Sequence, residues 1–217
     1  GGMFISMGRG SPTIEWNQFW ENQAGDHGGG IVAVNTQFAT NLDISFNLFV
    51  RNSALGSGLG DTGSGGAMWI YNFPGVIANN TMVSNRGSGE SLCSGGGLVL
   101  DSTQENLEVT RNLIVYNDGC GITCKDMPEV NLGPNLLWSN LQGDLGTGAG
   151  SCPSCWAATL TIADPQFCTP ENDNYSVAIT SPALGPGGPM GVWTDPGCGP
   201  GVPVQPTTWG RLKAIYR

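Results

Sequence analysis

The pattern Asn-x-apolar-x-x-Asn occurs five times in this chain, and a repeat constrains a fold more tightly than any single residue does. Its copies are Asn17-Gln18-Phe19-Trp20-Glu21-Asn22, Asn47-Leu48-Phe49-Val50-Arg51-Asn52, Asn80-Thr81-Met82-Val83-Ser84-Asn85, Asn112-Leu113-Ile114-Val115-Tyr116-Asn117 and Asn135-Leu136-Leu137-Trp138-Ser139-Asn140. An apolar residue stands three places before each first Asn (Ile14, Ile44, Ile77, Val109, Leu132), so one short strand enters an asparagine corner and a second leaves it. Each unit opens on a glycine-rich entry into a further strand: Gly1-Gly2-Met3-Phe4-Ile5, Gly29-Gly30-Ile31-Val32-Ala33, Gly66-Ala67-Met68-Trp69-Ile70, Gly96-Gly97-Leu98-Val99-Leu100 and Cys120-Gly121-Ile122-Thr123-Cys124. Successive first asparagines are 30, 33, 32 and 23 residues apart. The variation falls between the last Asn of one unit and the glycines of the next, which places the inserted loops at one corner.

Three short strands and three corners cannot bury their own apolar face. Stacking units one strand spacing apart, about 4.8 Å, pairs each strand in parallel with its neighbours. The expected fold is all-β, a right-handed parallel β-helix with three short strands per coil and an asparagine ladder at one corner. Alternation assigns Met3, Ile31, Met68, Leu98 and Ile122 to one inward column, Ile5, Ala33, Ile70, Leu100 and Cys124 to a second, and Phe19, Phe49, Met82, Ile114 and Leu137 to a third. The first asparagines, Asn17, Asn47, Asn80, Asn112 and Asn135, form the ladder, and Asn tolerates the left-handed backbone that a sharp corner needs.

Composition agrees with a strand-and-turn repeat. Gly at 35 and Pro at 14 punctuate strands whose apolar residues keep a two-residue rhythm, unlike a disordered chain. With Lys+Arg 8 against Asp+Glu 17, the net charge of -9 argues against nucleic acid as a partner. No apolar run is long enough for a membrane span. The chain opens inside a repeat, as a processed or excerpted chain would. Seven cysteines point to an oxidising compartment, secreted or at the cell surface. Cys152, Cys155, Cys168 and Cys198 could be read as a zinc site, but their irregular spacing favours disulfides Cys152–Cys155 and Cys168–Cys198, with no metal.

Residues 1–140 resemble the right-handed parallel β-helix repeat of the pectate-lyase-like superfamily, and Ala163-Asp164-Pro165-Gln166-Phe167-Cys168, Asn174-Tyr175-Ser176-Val177 and Ser181-Pro182-Ala183 resemble the closing segment of secreted bacterial proteins of that kind. The final Trp209-Gly210-Arg211-Leu212-Lys213-Ala214-Ile215-Tyr216-Arg217 is similar to a tail at the end of such proteins. The organisation read from this is coils over 1–145, with 146–217 a Cys/Pro-rich closing segment and tail packed on the helix. The superfamily holds lyases, hydrolases, adhesins and scaffolds, so fold alone assigns no activity.

A site like the family's lyases needs carboxylates around Ca²⁺ and a basic residue on the outward side of the first strand. Asp101, Lys125 and Asp126 are the candidates, and a surface salt bridge is the competing reading. For a hydrolase, Asp26-His27 with Asp61 is the nearest carboxylate group. Phe4, Trp69 and Tyr71 point outward from the same face and offer rings to a glycan or a protein partner, unless the Gly/Ser loop covers them. Trp20, Val50, Val83, Val115 and Trp138 form an outward apolar column roughly 24 Å tall, which either the segment 182–206 or another subunit must cover. The reading is a non-catalytic extracellular scaffold or recognition module without a cofactor. Its alternative is a polysaccharide lyase or glycoside hydrolase on acidic polysaccharide, with Ca²⁺ required only by the lyase. The open first coil also suggests head-to-tail self-association into fibres through residues 207–217.

Overall fold

The computed structural model describes residues 2–7, 10–36, 41–56, 63–88, 95–102, 106–125, 130–147 and 159–198. Among these the structure is all-β with almost no helix, and its long sheets are entirely parallel. The first sheet stacks Met3–Met7, Ile31–Asn35, Met68–Tyr71, Leu98–Asp101, Ile122–Lys125 and Leu145–Thr147 in chain order. The second stacks Thr13–Glu15, Leu42–Ser45, Gly75–Ala78, Leu107–Thr110 and Asn131–Leu132. The third runs Gln18–Trp20, Leu48–Val50, Thr81–Val83, Leu113–Val115, Asn135–Trp138 and Leu160–Ile162. Strands of one unit thus pair only with the units before and after, in the manner of a parallel β-solenoid.

Strand register places Met3 beside Ile31, Ile31 beside Met68, Met68 beside Leu98 and Leu98 beside Ile122. These side chains, the Ile5 to Cys124 column and the Phe19 to Leu137 column form one continuous apolar core, with Met3 only partly buried at its end. Phe19 and Phe49 stack within it at 4.7 Å. Cys124 is a free thiol there, its pKa pushed up to about 12 by burial, and so is inert as a nucleophile.

Two asparagine ladders run through the stack. In the first, each Nδ2 donates to the next Oδ1: Asn17 to Asn47 at 3.1 Å, Asn47 to Asn80 at 3.1 Å, Asn80 to Asn112 at 3.0 Å and Asn112 to Asn135 at 3.0 Å. The second asparagine of each motif does the same through Asn22, Asn52, Asn85, Asn117 and Asn140. It ends on Asp144, whose carboxylate accepts from Asn140 Nδ2 at 2.8 Å. An acceptor-only group suits the end of a ladder whose donors all point one way. Past this second corner the chain stays extended for two residues in three units (Gln23–Ala24, Ser53–Ala54, Arg86–Gly87), a fourth short sheet beyond the three strands expected per coil.

The left-handed backbone at these corners belongs to the residue before each Asn, not to the Asn itself. Trp16, Glu21, Phe46, Arg51, Asn79, Ser84, Arg111, Tyr116 and Ser139 all have φ between 52° and 57°. The carboxamide must reach both the adjacent coil and its own backbone, which leaves the preceding residue to turn the corner and point outward. Pro134, locked at negative φ, is the exception before Asn135.

The glycine entries are required by close approach. A Cβ on Gly97 would lie 2.3 Å from the Gly121 carbonyl oxygen and 2.8 Å from Ile114 Cγ2. Gly97→Ala is therefore expected to lower unfolding stability by about 2–3 kcal/mol, read from a urea midpoint, because neighbouring coils cannot separate at one point without breaking both ladders.

Candidate functional site

The outward side of the first sheet divides in two. Val99 and Thr123, both pointing away from the core, are fully buried. The backbone at Gly95 (φ 65°) lies against them, close enough that a Cβ there would meet Val99 Cγ2 at 2.2 Å. Over the first three coils the face is open instead. A groove of about 620 Å³ is lined by Phe4, Val32, Val34, Trp69 and the corner Ala24-Gly25-Asp26-His27-Gly28.

Register sets this groove out across the coils: Phe4, Val32 and Trp69 are neighbours in three successive strands, as are Ser6, Val34 and Tyr71. Two valines make the floor. Trp69 stacks on Tyr71 at 5.6 Å and 15°, and on His27 at 4.5 Å and 14°, so three nearly parallel rings stand in a row, of which Trp69 and His27 line one side of the groove. Phe4, 70% exposed, stands on the other side. Gly28 makes the arrangement possible with φ 58°, since a side chain there would strike Val32. Among the described residues, the buried side-chain polar atoms without a hydrogen-bond partner are His27 Nδ1, Trp69 Nε1 and Ser64 Oγ. All three lie at this corner, because Gly28 donates its N–H to the Ser64 carbonyl at 3.0 Å. Each such orphan costs about 1–3 kcal/mol, and native folds keep few of them.

The carboxylate candidates are distributed differently. Asp26 Oδ1 lies 3.6 Å from His27 Nε2 at the mouth of the groove, while Asp61 lies outside the described residues. Asp101 and Lys125 are register partners, and Asp101 accepts from Ser102 Oγ at 3.0 Å. Lys125 is buried, at 9% exposure, beside Asp101 in the register. Asp126 lies outside the described residues, as do Cys152, Cys155 and the tail 207–217. Among the described residues, no group of three His, Cys, Asp or Glu side chains is placed to hold a metal, and no helix is long and apolar enough to cross a membrane.

The column Trp20, Val50, Val83, Val115 and Trp138 is covered by the chain itself, so its reading as a contact with another subunit is corrected. Val50, Val83 and Val115 pack with Leu48, Leu113 and Leu136 against Tyr175, Val177, Ala183, Met190 and Val192, while Trp20 and Trp138 flank them half-buried. The cover begins at the antiparallel pair Phe167–Thr169 and Asn174–Val177, upstream of the segment 182–206 expected to supply it. Its two ends are joined to each other, and it is hydrogen-bonded to the third sheet. Cys168 is bonded to Cys198, and Val192 N–H donates to Thr81 Oγ1 at 3.0 Å. Cys120 is also disulfide-bonded.

Arg51 clamps the front of this cover, a contact that the repeat pattern does not reveal. Its guanidinium donates to Asp173 Oδ1 at 2.7 Å and Oδ2 at 3.3 Å, and to Glu21 at 3.0 Å, and lies over the Trp20 ring at 5.2 Å. The hydrogen bond from Arg51 holds the Asp173 carboxyl below its usual range, and burial pushes the Tyr175 phenol up to about 12. A depressed carboxyl stabilises the fold above the unfolded value near 3.8, and that contribution is lost as pH falls through its own lower value. Asp173→Asn keeps the shape and tolerates φ 59°. It is expected to cost less than about 1 kcal/mol at pH 7, since the pair is exposed. In thermal melts the difference from the parent shrinks below pH 4.

Set against family models, curated proteins and solved structures, the chain matches none of them.

Proposed function

We propose that this chain is a secreted right-handed parallel β-helix of the pectate-lyase-like kind, and that it recognises a glycan without cutting it. The observation that carries this reading is the open groove over the first three coils, with an apolar floor, a row of parallel rings on one side and Phe4 on the other. Concave sites of this kind, with apolar walls and a few polar groups, are the usual places for small ligands. The buried polar atoms left unpaired at the same corner support it further. Phe4 is exposed enough to be removed without harm to the core. Phe4→Ala is expected to weaken binding to an immobilised glycan roughly tenfold, about 1.4 kcal/mol, at an unchanged melting temperature. Equal binding by both proteins would remove the groove from this reading.

A lyase acting on acidic polysaccharide with Ca²⁺ is the second reading, favoured only by Asp101 standing beside Lys125 in register. Product release from polygalacturonate with Ca²⁺, abolished by the double substitution Asp101→Ala and Lys125→Ala, would establish it in place of the first.

A further inference from the structure

Resting on the glycan-recognition reading, we infer that the groove is one ring wide, lies parallel to the strands, and takes an uncharged oligosaccharide in preference to a polyuronate. The width follows from register. Phe4 and Trp69 flank Val32 in adjacent strands, so the two walls spring from backbones about 9.6 Å apart, twice the strand spacing. That gap holds one ring in van der Waals contact with both sides, and not two. The direction follows from the floor. Val32 and Val34 are successive outward residues of one strand, and the face is closed further along the stack where Val99 and Thr123 are buried. A ligand can therefore extend across the solenoid but not along it.

Charge decides the class. Among the described residues lining the groove, the one carboxylate is Asp26, 63% exposed at its mouth, and no lining residue is Lys or Arg. The chain as a whole carries -9. A uronate would bring like charge against Asp26, with no Lys or Arg among the described lining residues to neutralise it. A wholly apolar ligand would instead strip water from Asp26 without replacing its hydrogen bonds. A neutral sugar satisfies both demands: its C–H groups lie on Phe4, Val32 and the edges of the Trp69 and His27 rings, and its hydroxyls donate to the Asp26 carboxylate.

The test is calorimetric titration of the whole chain with three probes, cellohexaose, hexa-N-acetylchitohexaose and hexagalacturonate, at low and high salt. At least one neutral probe is expected to bind, with hexagalacturonate at least tenfold weaker at low salt and the difference reduced in Asp26→Asn. Val32→Phe fills the floor with a third ring in the column and should abolish binding at an unchanged melting temperature. Hexagalacturonate binding as tightly as the neutral probes overturns the inference and leaves glycan recognition standing. Failure of all three probes overturns both. Binding undiminished in a folded Val32→Phe variant overturns the placement in the groove.

Discussion

Asn80→Ala is expected to lower the unfolding free energy by about 4 kcal/mol, more than a single side-chain hydrogen bond accounts for. The Asn80 side chain is fully buried and makes five contacts at once. Its Nδ2 donates to Ile44 O at 2.7 Å, Ala78 O at 3.1 Å and Asn112 Oδ1 at 3.0 Å. Its Oδ1 accepts from the N–H of Asn47 at 3.0 Å and from Asn47 Nδ2 at 3.1 Å. Truncation leaves donors of the coil before and acceptors of the coil after in a site that water cannot enter. Asn80→Asp is expected to be no better, because a carboxylate there would face three acceptors. The same exchange made the other way at the ladder's end, Asp144→Asn, should be nearly neutral. Melting temperatures of the three variants check the account, and a stability unchanged in Asn80→Ala would remove the ladders as a source of cohesion.

Val115→Asp tests the cover over the third sheet and should cost about 3–5 kcal/mol at pH 7. Val115 has no exposure and lies in the cluster completed by Tyr175, Val177, Met190 and Val192. A carboxylate introduced there has no partner, and burial raises its folded pKa. The penalty is therefore largest above that raised folded value, shrinks as the pH falls from it toward the unfolded value near 4, and is absent below. The Cys168–Cys198 disulfide keeps the cover covalently closed on itself, so the expected picture is detachment of the whole flap from an intact solenoid. Binding of a hydrophobic dye at neutral pH, lost again near pH 4, is the signature. A variant as stable as the parent would mean that the cover contributes little.

These two variants probe parts of the protein that differ in how far the sequence discloses them. The ladder is written in the motif itself: asparagines at a fixed spacing, each with an apolar residue three places before the first. The second ladder was equally legible from the second Asn of each copy, and Asp144 marks its end. The left-handed corner is different. A preference of Asn for that backbone pointed to the wrong residue, because the side chain's hydrogen bonds across coils compete with its local preference and win.

The cover was half legible. An apolar column facing outward demanded something to shield it, and prolines near the C-terminus offered one candidate. Where the cover begins rests on pairs such as Arg51 with Asp173, 122 residues apart, and Asn79 with Pro189, 110 apart. No periodicity encodes contacts of that kind.

The sequence by itself determined the strands, their parallel stacking, the inward columns and the ladder positions, because these follow from short-range alternation and a repeat length that brings like residues into register. Only the tertiary structure decided what lies on the outward faces. Val99 and Thr123 alternate like Val32, yet they are buried and Val32 lines a groove. His27, set in a loop with no pattern of its own, becomes a ring stacked on Trp69. The physical reason is that alternation fixes which way a side chain points relative to its own strand, whereas its exposure depends on which loop or distant segment comes to lie over it.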